Sequence, residues 1–381
     1  MTGTTYAHLS RDQIELLERC EALARDVFAP LARDGAPGHL NRPLLRTLGD
    51  HGLLDRVLGS AGEVPALDLC LVREGLARHS TEAETAFAVQ GLGSHPMLAA
   101  GRSEVVEEWI PRIARGEAVA GFALTEPGAG SDVAALALRA ERDGDGFRLT
   151  GEKVYISNAP DADVYSVFAR TSERGLTAFA VPRSSPGLDG EPLALLSPHP
   201  IGRLVFDGVR VPATHVLGEV DQGFKVAMRT LDLFRPSVGA FAVGMAQAAL
   251  DAAVAYASTR EAFGRTLSEL QGVSHQLAEI ATGVQAGRLL VHSAAAAYDR
   301  GIRPTTQAAA MAKLFATETA QRAIDVAIQV HGARALEEGH LLEHLYREVR
   351  ATRIYEGASE IQREIIARQL FAGPRAVGGR V

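Results

Sequence analysis

In the stretch FALTEPGAGSD at 122–132, Gly128 and Gly130 leave backbone amides uncovered beside the hydroxyls of Thr125 and Ser131, an arrangement that suits a flat polar ligand or a phosphate. The stretch lacks the strand, helix and distal acid of a dinucleotide fingerprint, so a plain structural turn accounts for the same residues. Further on, RIYEGASEIQREIIARQ at 353–369 puts Glu356 on a turn, because Gly357 interrupts the helical pattern and Ser359 with Gln362 predicts a capping box for a new helix. A carboxylate held there among apolar residues would serve as a base where burial outweighs the pull of the helix N-terminus, about 0.3–1 kcal/mol. A solvated cap is the other reading of the same glutamate. In GHLLEH at 339–344, His340, Glu343 and His344 are predicted on one helical face with the inverted zinc-peptidase spacing. Two imidazoles four residues apart could bind zinc and the glutamate could polarise its water, but a third ligand is required. In a chain with 12 histidines a solvated helix face explains them too.

Elements must position these groups, and the texture of the chain changes twice. Residues 1–117 read as an N-terminal helical domain. Ser10 with Gln13 makes a capping box, and Ile14, Leu17, Cys20, Ala24 and Val27 follow at helical spacing. Further helices are predicted over 43–48, 65–77 and 104–114. Residues 118–221 read as a β domain: Phe147, Leu149, the run 164–168 and the segment 176–181 are strand-like, and Asp143-Gly144-Asp145-Gly146 supplies a hairpin turn. From 222 to 381 the helical period returns. Leu270, Val273, Leu277, Ile280, Val284 and Val291 make one apolar stripe, and alanine-rich stretches permit close helix approach. A bundle of four or five long helices is predicted, with Pro236 restarting or kinking the first and a loose tail over 372–381.

Composition narrows the function classes. Hydrophobic residues make up 46% and charged residues 22%, and charged residues interrupt the apolar runs before the roughly 20 residues of a membrane span. The net charge of −7 gives no global surface for nucleic acid. With no signal-like N-terminus, a cytoplasmic location is expected. Cys20 and Cys70 are the two cysteines, both on amphipathic runs, and are expected as buried thiols rather than a disulfide framework or metal knuckle.

Taken in order, FALTEPGAGSD at 122, GEKVYISNA at 151, FDGVRVP at 206, LDLFRP at 231, STREAFGRTLSELQGV at 258, AIQVHGA at 327 and RIYEGASEIQ at 353 resemble the acyl-CoA dehydrogenase family across essentially the whole chain. The resemblance implies a mostly α fold: an N-terminal helical domain, a barrel-like middle β domain and a C-terminal four-helix bundle, with bound FAD, in a homo-oligomer built as a dimer of dimers. It implies that Phe122, Leu124, Thr125, Gly130 and Ser131 hold the isoalloxazine and ribityl chain, with Tyr155, Ile156 and Ser157 covering the other side. It places Arg260, Ala262, Phe263 and Gln271, with Gln329 and Gly332, at the pyrophosphate and adenosine across a subunit interface, and Ala358 and Glu360 near the cofactor. Ser131, Asp232, Arg235, Tyr355 and Gly357 match the acyl-CoA channel, and Glu356 matches the catalytic base. Some branches of the family carry the base on the earlier helix; that position here is Phe234, which takes no proton. The implied reaction removes the α-proton of an acyl thioester and passes the β-hydride to FAD, giving a trans-2-enoyl thioester. An enolate oxygen would be held by the Glu356 backbone N–H and a ribityl hydroxyl, and an electron-transfer flavoprotein would be the acceptor.

Departures from the family pattern bear on substrate and tether. Ala358 replaces a threonine, Ala333 and Ala335 stand where glycine is usual, Tyr155 replaces a tryptophan, VLGSAGEVP near residue 58 is shortened, and the β-domain loop reads SPHPIGR. The same chemistry on a carrier-protein thioester, or an oxidase returning electrons to oxygen, keeps FAD and Glu356. Rivals of a different class are a zinc hydrolase built on residues 340–344 and a non-catalytic helical binding protein.

Overall fold

The computed structural model describes residues 6–59, 64–302 and 305–371 of the 381. The tail over 372–381 and most of the shortened loop after residue 59 lie outside them. The chain divides into two units, Met1–Phe234 and Arg235–Val381.

In the first unit, Ser10 opens the leading helix as its sequence predicts. Its hydroxyl accepts the Gln13 amide while the Gln13 side chain accepts the Ser10 amide, and α1 spans Arg11–Leu23. A π turn at Ala24–Phe28, which the helical period does not announce, leads into α2 (Ala29–Arg33). The layer continues with α3 (Arg42–Asp50), α4 (Leu53–Leu58), α5 (Ala66–Ala77), α6 (Thr81–Ala100) and α7 (Ser103–Ala114). Neither α4 nor α6 is among the sequence-predicted helices. α6 is buried around most of its circumference, so its apolar residues form no stripe, and Gly91, Gly93 and Pro96 interrupt the pattern. Gly93 is required by a close approach: a methyl there would stand 2.8 Å from the carbonyl carbon of Ala120 and the nitrogen of Gly121. Gln90 fastens that contact, donating to the Ala118 carbonyl at 2.9 Å and accepting the Ala120 amide at 2.7 Å. Cys20 and Cys70 are buried and neither is in a disulfide, and burial pushes the Cys20 thiol up to about 12.

The central mixed sheet has β1 (Ala120–Ala123), β2 (Arg139–Asp143), β3 (Gly146–Ser157), β4 (Val164–Arg170), β5 (Leu176–Pro182), β6 (Leu188–Pro192), β7 (Ile201–Pro212) and β8 (Val216–Leu217). Their order is β6-β7-β3-β2-β4-β5-β8, with β1 lying parallel on β4. The Asp-Gly turn closes the β2–β3 hairpin, pairing Asp143 with Gly146 and placing Gly144 at φ 61°. Residues 164–169 of β4 are all buried, which is why that strand reads as a continuous apolar run rather than an alternation. Along β7, β3 keeps register except for irregularities between Leu149 and Gly151 and between Lys153 and Ile156.

α8 (Gly223–Thr259) begins in the first unit and ends in the second, and it continues through Pro236 as one helix rather than restarting there. By length and composition it could cross a membrane, but 78% of its most apolar window is buried in the fold, as expected of a core helix. The second unit continues with a hairpin of β9 (Glu261–Ala262) and β10 (Arg265–Thr266), then α9 (Gln271–Asp299), α10 (Thr306–His331), α11 (Leu341–Thr352) and α12 (Ser359–Phe371). Three of these helices are long and two are short, against the expected four or five long ones. In the predicted stripe Leu277, Ile280, Val284 and Val291 are buried, while Val273 is half-buried. Gly239 lets α8 meet both neighbours, since a methyl there would lie 2.7 Å from Val291 of α9 and 3.4 Å from Ala316 of α10.

Candidate active site

Two strands fix the loop at 122–132. Phe122 on β1 is half-buried with its ring 5.0 Å from that of Phe168, and Leu124 is buried just past the strand. Residues 126–129 form a tight turn in which the Glu126 and Ala129 amides each donate to the other's carbonyl at 3.1 Å. Gly128 and Gly130 are exposed, and a methyl on either would meet no atom within 4 Å. Thr125 is half-buried and Ser131 exposed.

The loop is locked from β3 by a residue that sequence reasoning passed over. Lys153, fully buried, donates to the Leu124 carbonyl at 2.8 Å and pairs with Glu126 at 2.8 Å. Glu126 accepts the amides of Ala137 and Leu138 at 2.5 and 3.0 Å, and Val154 N–H donates to the Thr125 carbonyl at 3.0 Å. Burial draws the Lys153 ammonium down to about 8 against the pull of Glu126. Thus FALTEPGAGSD and GEKVYISNA, far apart in sequence, are stitched side by side. Immediately after Lys153 the strand irregularity turns Tyr155 outward, at φ 57° and 58% exposed, with Ile156 buried and Ser157 half-buried. On α8, Asp232 is half-buried and Phe234 fully buried, the Phe234 ring 6.1 Å from that of His95.

The second constellation is the turn at 353–357. Glu356 stands at φ 52° and Gly357 at φ 99°, and both, like Tyr355, are half-buried. Their carbonyls are clamped from three helices. That of Glu356 accepts from Arg235 Nε of α8 at 3.3 Å and Gln362 Nε2 of α12 at 3.4 Å. That of Gly357 accepts from Lys313 Nζ of α10 at 2.8 Å and Gln362 Nε2 at 2.8 Å. The predicted capping box is absent: Ser359 Oγ donates to Glu318 at 2.7 Å, and Gln362 turns back to the carbonyls. The half-buried carbonyls of the turn need donors, so Gln362 serves them, and α12 starts from Ala358, whose carbonyl accepts the Gln362 amide at 3.0 Å. Glu318 also pairs with Arg353 at 2.8 Å, tying both ends of the turn to α10. Ala358 is half-buried, and Glu360 is exposed, 3.4 Å from Arg363.

Around the hairpin, Arg260 and Gln271 are exposed and Ala262 is half-buried, while Phe263 stands at the tip at φ 54° and 93% exposed. Gln329 and Gly332 are exposed at the end of α10, Gly332 at φ 65°. Tyr256 stacks on His331 at 4.3 Å, so the C-terminal ends of α8 and α10 lie together.

The zinc reading finds no geometry. His340 is the N-cap of α11, its Nδ1 accepting the Leu342 amide at 3.1 Å, and Glu343 pairs with Arg347 at 2.5 Å. Among the described residues no group of three or more His, Cys, Asp or Glu could hold a metal.

The donor set fits a flavin dinucleotide. In the first unit one open loop presents hydroxyls and uncovered amides beside apolar Leu124, and an outward Tyr155 follows on the strand stitched to it; in the second unit, taken by itself, exposed Arg260 and Phe263 offer a cation and a ring. The acyl-CoA dehydrogenase N-terminal, middle and C-terminal domain patterns match residues 10–117, 121–209 and 221–371. A cyclohexane-1-carbonyl-CoA dehydrogenase of Geobacter metallireducens is 37% identical over 93% of this chain and 96% of its own length. Among solved structures, a glutaryl-coenzyme A dehydrogenase in complex with glutaryl-CoA superposes with a TM-score of 0.90 at 31% identity, covering 96% of each chain. Butyryl-CoA dehydrogenase from Megasphaera elsdenii gives 0.89 at 31% identity over 95% of this chain and 98% of that one. The chain belongs to the acyl-CoA dehydrogenase family. It is an FAD-dependent oxidoreductase.

Proposed function

We propose that the chain oxidises an acyl-CoA to its trans-2-enoyl thioester, with Glu356 as the base that removes the α-proton. The observation that carries this reading is the clamped turn: two cations and an amide side chain hold the backbone of one glutamate in a left-handed conformation that glutamate rarely adopts. Such strain persists where the surroundings over-determine it, and here they fix where the carboxylate starts from. A positioned carboxylate contributes roughly 10²–10⁴ in rate as a general base. FAD, when bound, accepts the β-hydrogen as hydride. The thioester α-proton is too weakly acidic for a carboxylate unless the developing enolate oxygen meets fixed donors, a role we assign to the Glu356 backbone N–H. Phe234, where a second base would stand, cannot take a proton, which leaves the proton to Glu356.

We assign Phe122–Ser131 and Tyr155–Ser157 to the ring and ribityl chain, and Arg260, Phe263, Gln329 and Gly332 to the dinucleotide half. On the same reading the electrons pass to an electron-transfer flavoprotein, and a homo-oligomer completes the cofactor site. The relatives named for cyclohexane-1-carbonyl, butyryl and glutaryl thioesters favour a compact acyl group. The test is Glu356→Gln mixed anaerobically with butyryl-CoA and cyclohexane-1-carbonyl-CoA. The variant should keep its FAD and bind the thioester while the flavin band stays unbleached; bleaching at the wild-type rate assigns the proton to another residue.

A further inference from the structure

Lys313 stands out among the groups that the proposed chemistry does not use. It lies on α10 with no solvent exposure, and its ammonium donates to the carbonyl of Gly357, the residue that follows the base. A buried ammonium without a counter-charge is costly, and lysine is rarely placed so unless it is paired. The charged groups that act on it are Glu356 on the turn, Arg235 on α8, Glu318 on α10 and Glu360 on α12. Glu356 is the strongest of the influences that keep it protonated, while burial draws it down to about 8. Glu318 is already engaged by Arg353 and Ser359, and Glu360 is exposed.

We propose that Lys313 is a positioning residue for the base: its hydrogen bond to Gly357 holds the left-handed turn, and its charge favours the ionised Glu356 carboxylate that must accept the proton. The inference rests on the reading of Glu356 as the base. Two contributions are separable. The hydrogen bond fixes the backbone at φ 99°, where Gln362 alone would otherwise hold the Gly357 carbonyl. The charge acts through space on the carboxylate, which an adjacent cation drives toward its ionised form. Arg235 serves the neighbouring carbonyl, that of Glu356, at 3.3 Å, so the two cations hold successive peptide groups of the turn.

The test compares Lys313→Met, which removes donor and charge, with Lys313→Gln, which keeps a donor and loses the charge, both as FAD-loaded enzyme. Anaerobic flavin reduction by butyryl-CoA or cyclohexane-1-carbonyl-CoA is followed from pH 5 to 9, beside amide hydrogen exchange across 354–359. For Lys313→Met the expected result is about a hundredfold slower reduction at neutral pH, FAD content and thioester affinity unchanged, and faster exchange in the turn. In both variants the acid limb of the pH–rate profile should move up by about one unit, since a carboxylate without its cation protonates sooner. Lys313→Gln should recover the slow exchange of the wild type but not its acid limb. An unmoved profile with unchanged exchange overturns the proposal, as does a rate that falls only in proportion to lost FAD. Glu356→Gln run alongside separates the failures: if it still bleaches, the base assignment falls, whereas a silent Glu356→Gln beside a normal Lys313→Met removes only this inference.

Discussion

Lys153 and Glu126 form a 2.8 Å ion pair in the interior of the β domain, one side chain wholly buried and the other 5% exposed. The pair joins β3 to the Gly-rich loop, and every remaining polar atom of the carboxylate is satisfied by the Ala137 and Leu138 amides. Lys153→Met strands that buried carboxylate, and breaking one partner of a buried pair costs about 3–5 kcal/mol. The variant should lose FAD on gel filtration, read from the 450 to 280 nm absorbance ratio, and melt earlier. Lys153→Met with Glu126→Gln should recover part of the loss. Full flavin occupancy and an unchanged melt in the single variant would contradict the locking role.

Gly357 cannot carry a side chain quietly. At φ 99° a methyl would be strained, and it would sit 2.4 Å from Gln362 Nε2, one of the donors holding the turn. Gly357→Ala should cost about 1 kcal/mol or more in stability, and should slow flavin reduction at least about tenfold by displacing Glu356. Stopped-flow bleaching is the measurement, with a wild-type rate as the refuting result.

His95 supplies a pH-dependent stability. Its ring donates to or accepts from Thr230 at 2.9 Å, and burial lowers its pKa from 6.5 to about 4. Between those values the unfolded chain binds a proton that the folded chain refuses, so stability falls as pH drops from 6.5 toward 4, by roughly 3 kcal/mol from this group. His95→Asn should be less stable than wild type at pH 7 and should close the gap by pH 4.5. A gap that stays constant over that window, measured by denaturant melts, removes His95 from the acid response.

The exposed hairpin carries the fourth expectation. Arg260→Ala and Phe263→Ala change residues with few intramolecular contacts, so the monomer fold should tolerate them, with melts of the apoprotein within about 0.5 kcal/mol of wild type. If they hold the dinucleotide, both should release FAD faster on dilution. Unaltered FAD retention in both counts against that placement.

Much of the architecture was readable because local rules and burial agreed. The Ser10–Gln13 box, the Asp-Gly hairpin and the α9 stripe follow from periodicity and turn chemistry, and the structure shows each. α6 escaped because a helix buried around most of its circumference carries no periodic signature, and its glycines read as breakers although they serve contact with β1. At the turn, Ser359 and Gln362 have the right types for a capping box, but a tertiary demand from the Gly357 carbonyl took Gln362 away. Lys153 left a faint trace, a charge within a strand that is otherwise apolar on its inward face, whereas Lys313 looks like any helix lysine until α12 and the turn are folded over it.

The irregularity in β3 between Lys153 and Ile156 sets a rule for how this segment can vary. Side chains alternate along a regular strand, so at their spacing of two residues Lys153 and Tyr155 would point the same way on an unbroken ladder, and an anchor in the core would force the tyrosine in with it. A change that straightened this edge at unchanged length would therefore cost one partner or the other, whereas changes of Tyr155 to another large ring leave the arrangement intact. The irregularity, not the composition of the strand, is what lets a buried lysine and an outward ring share so short a segment.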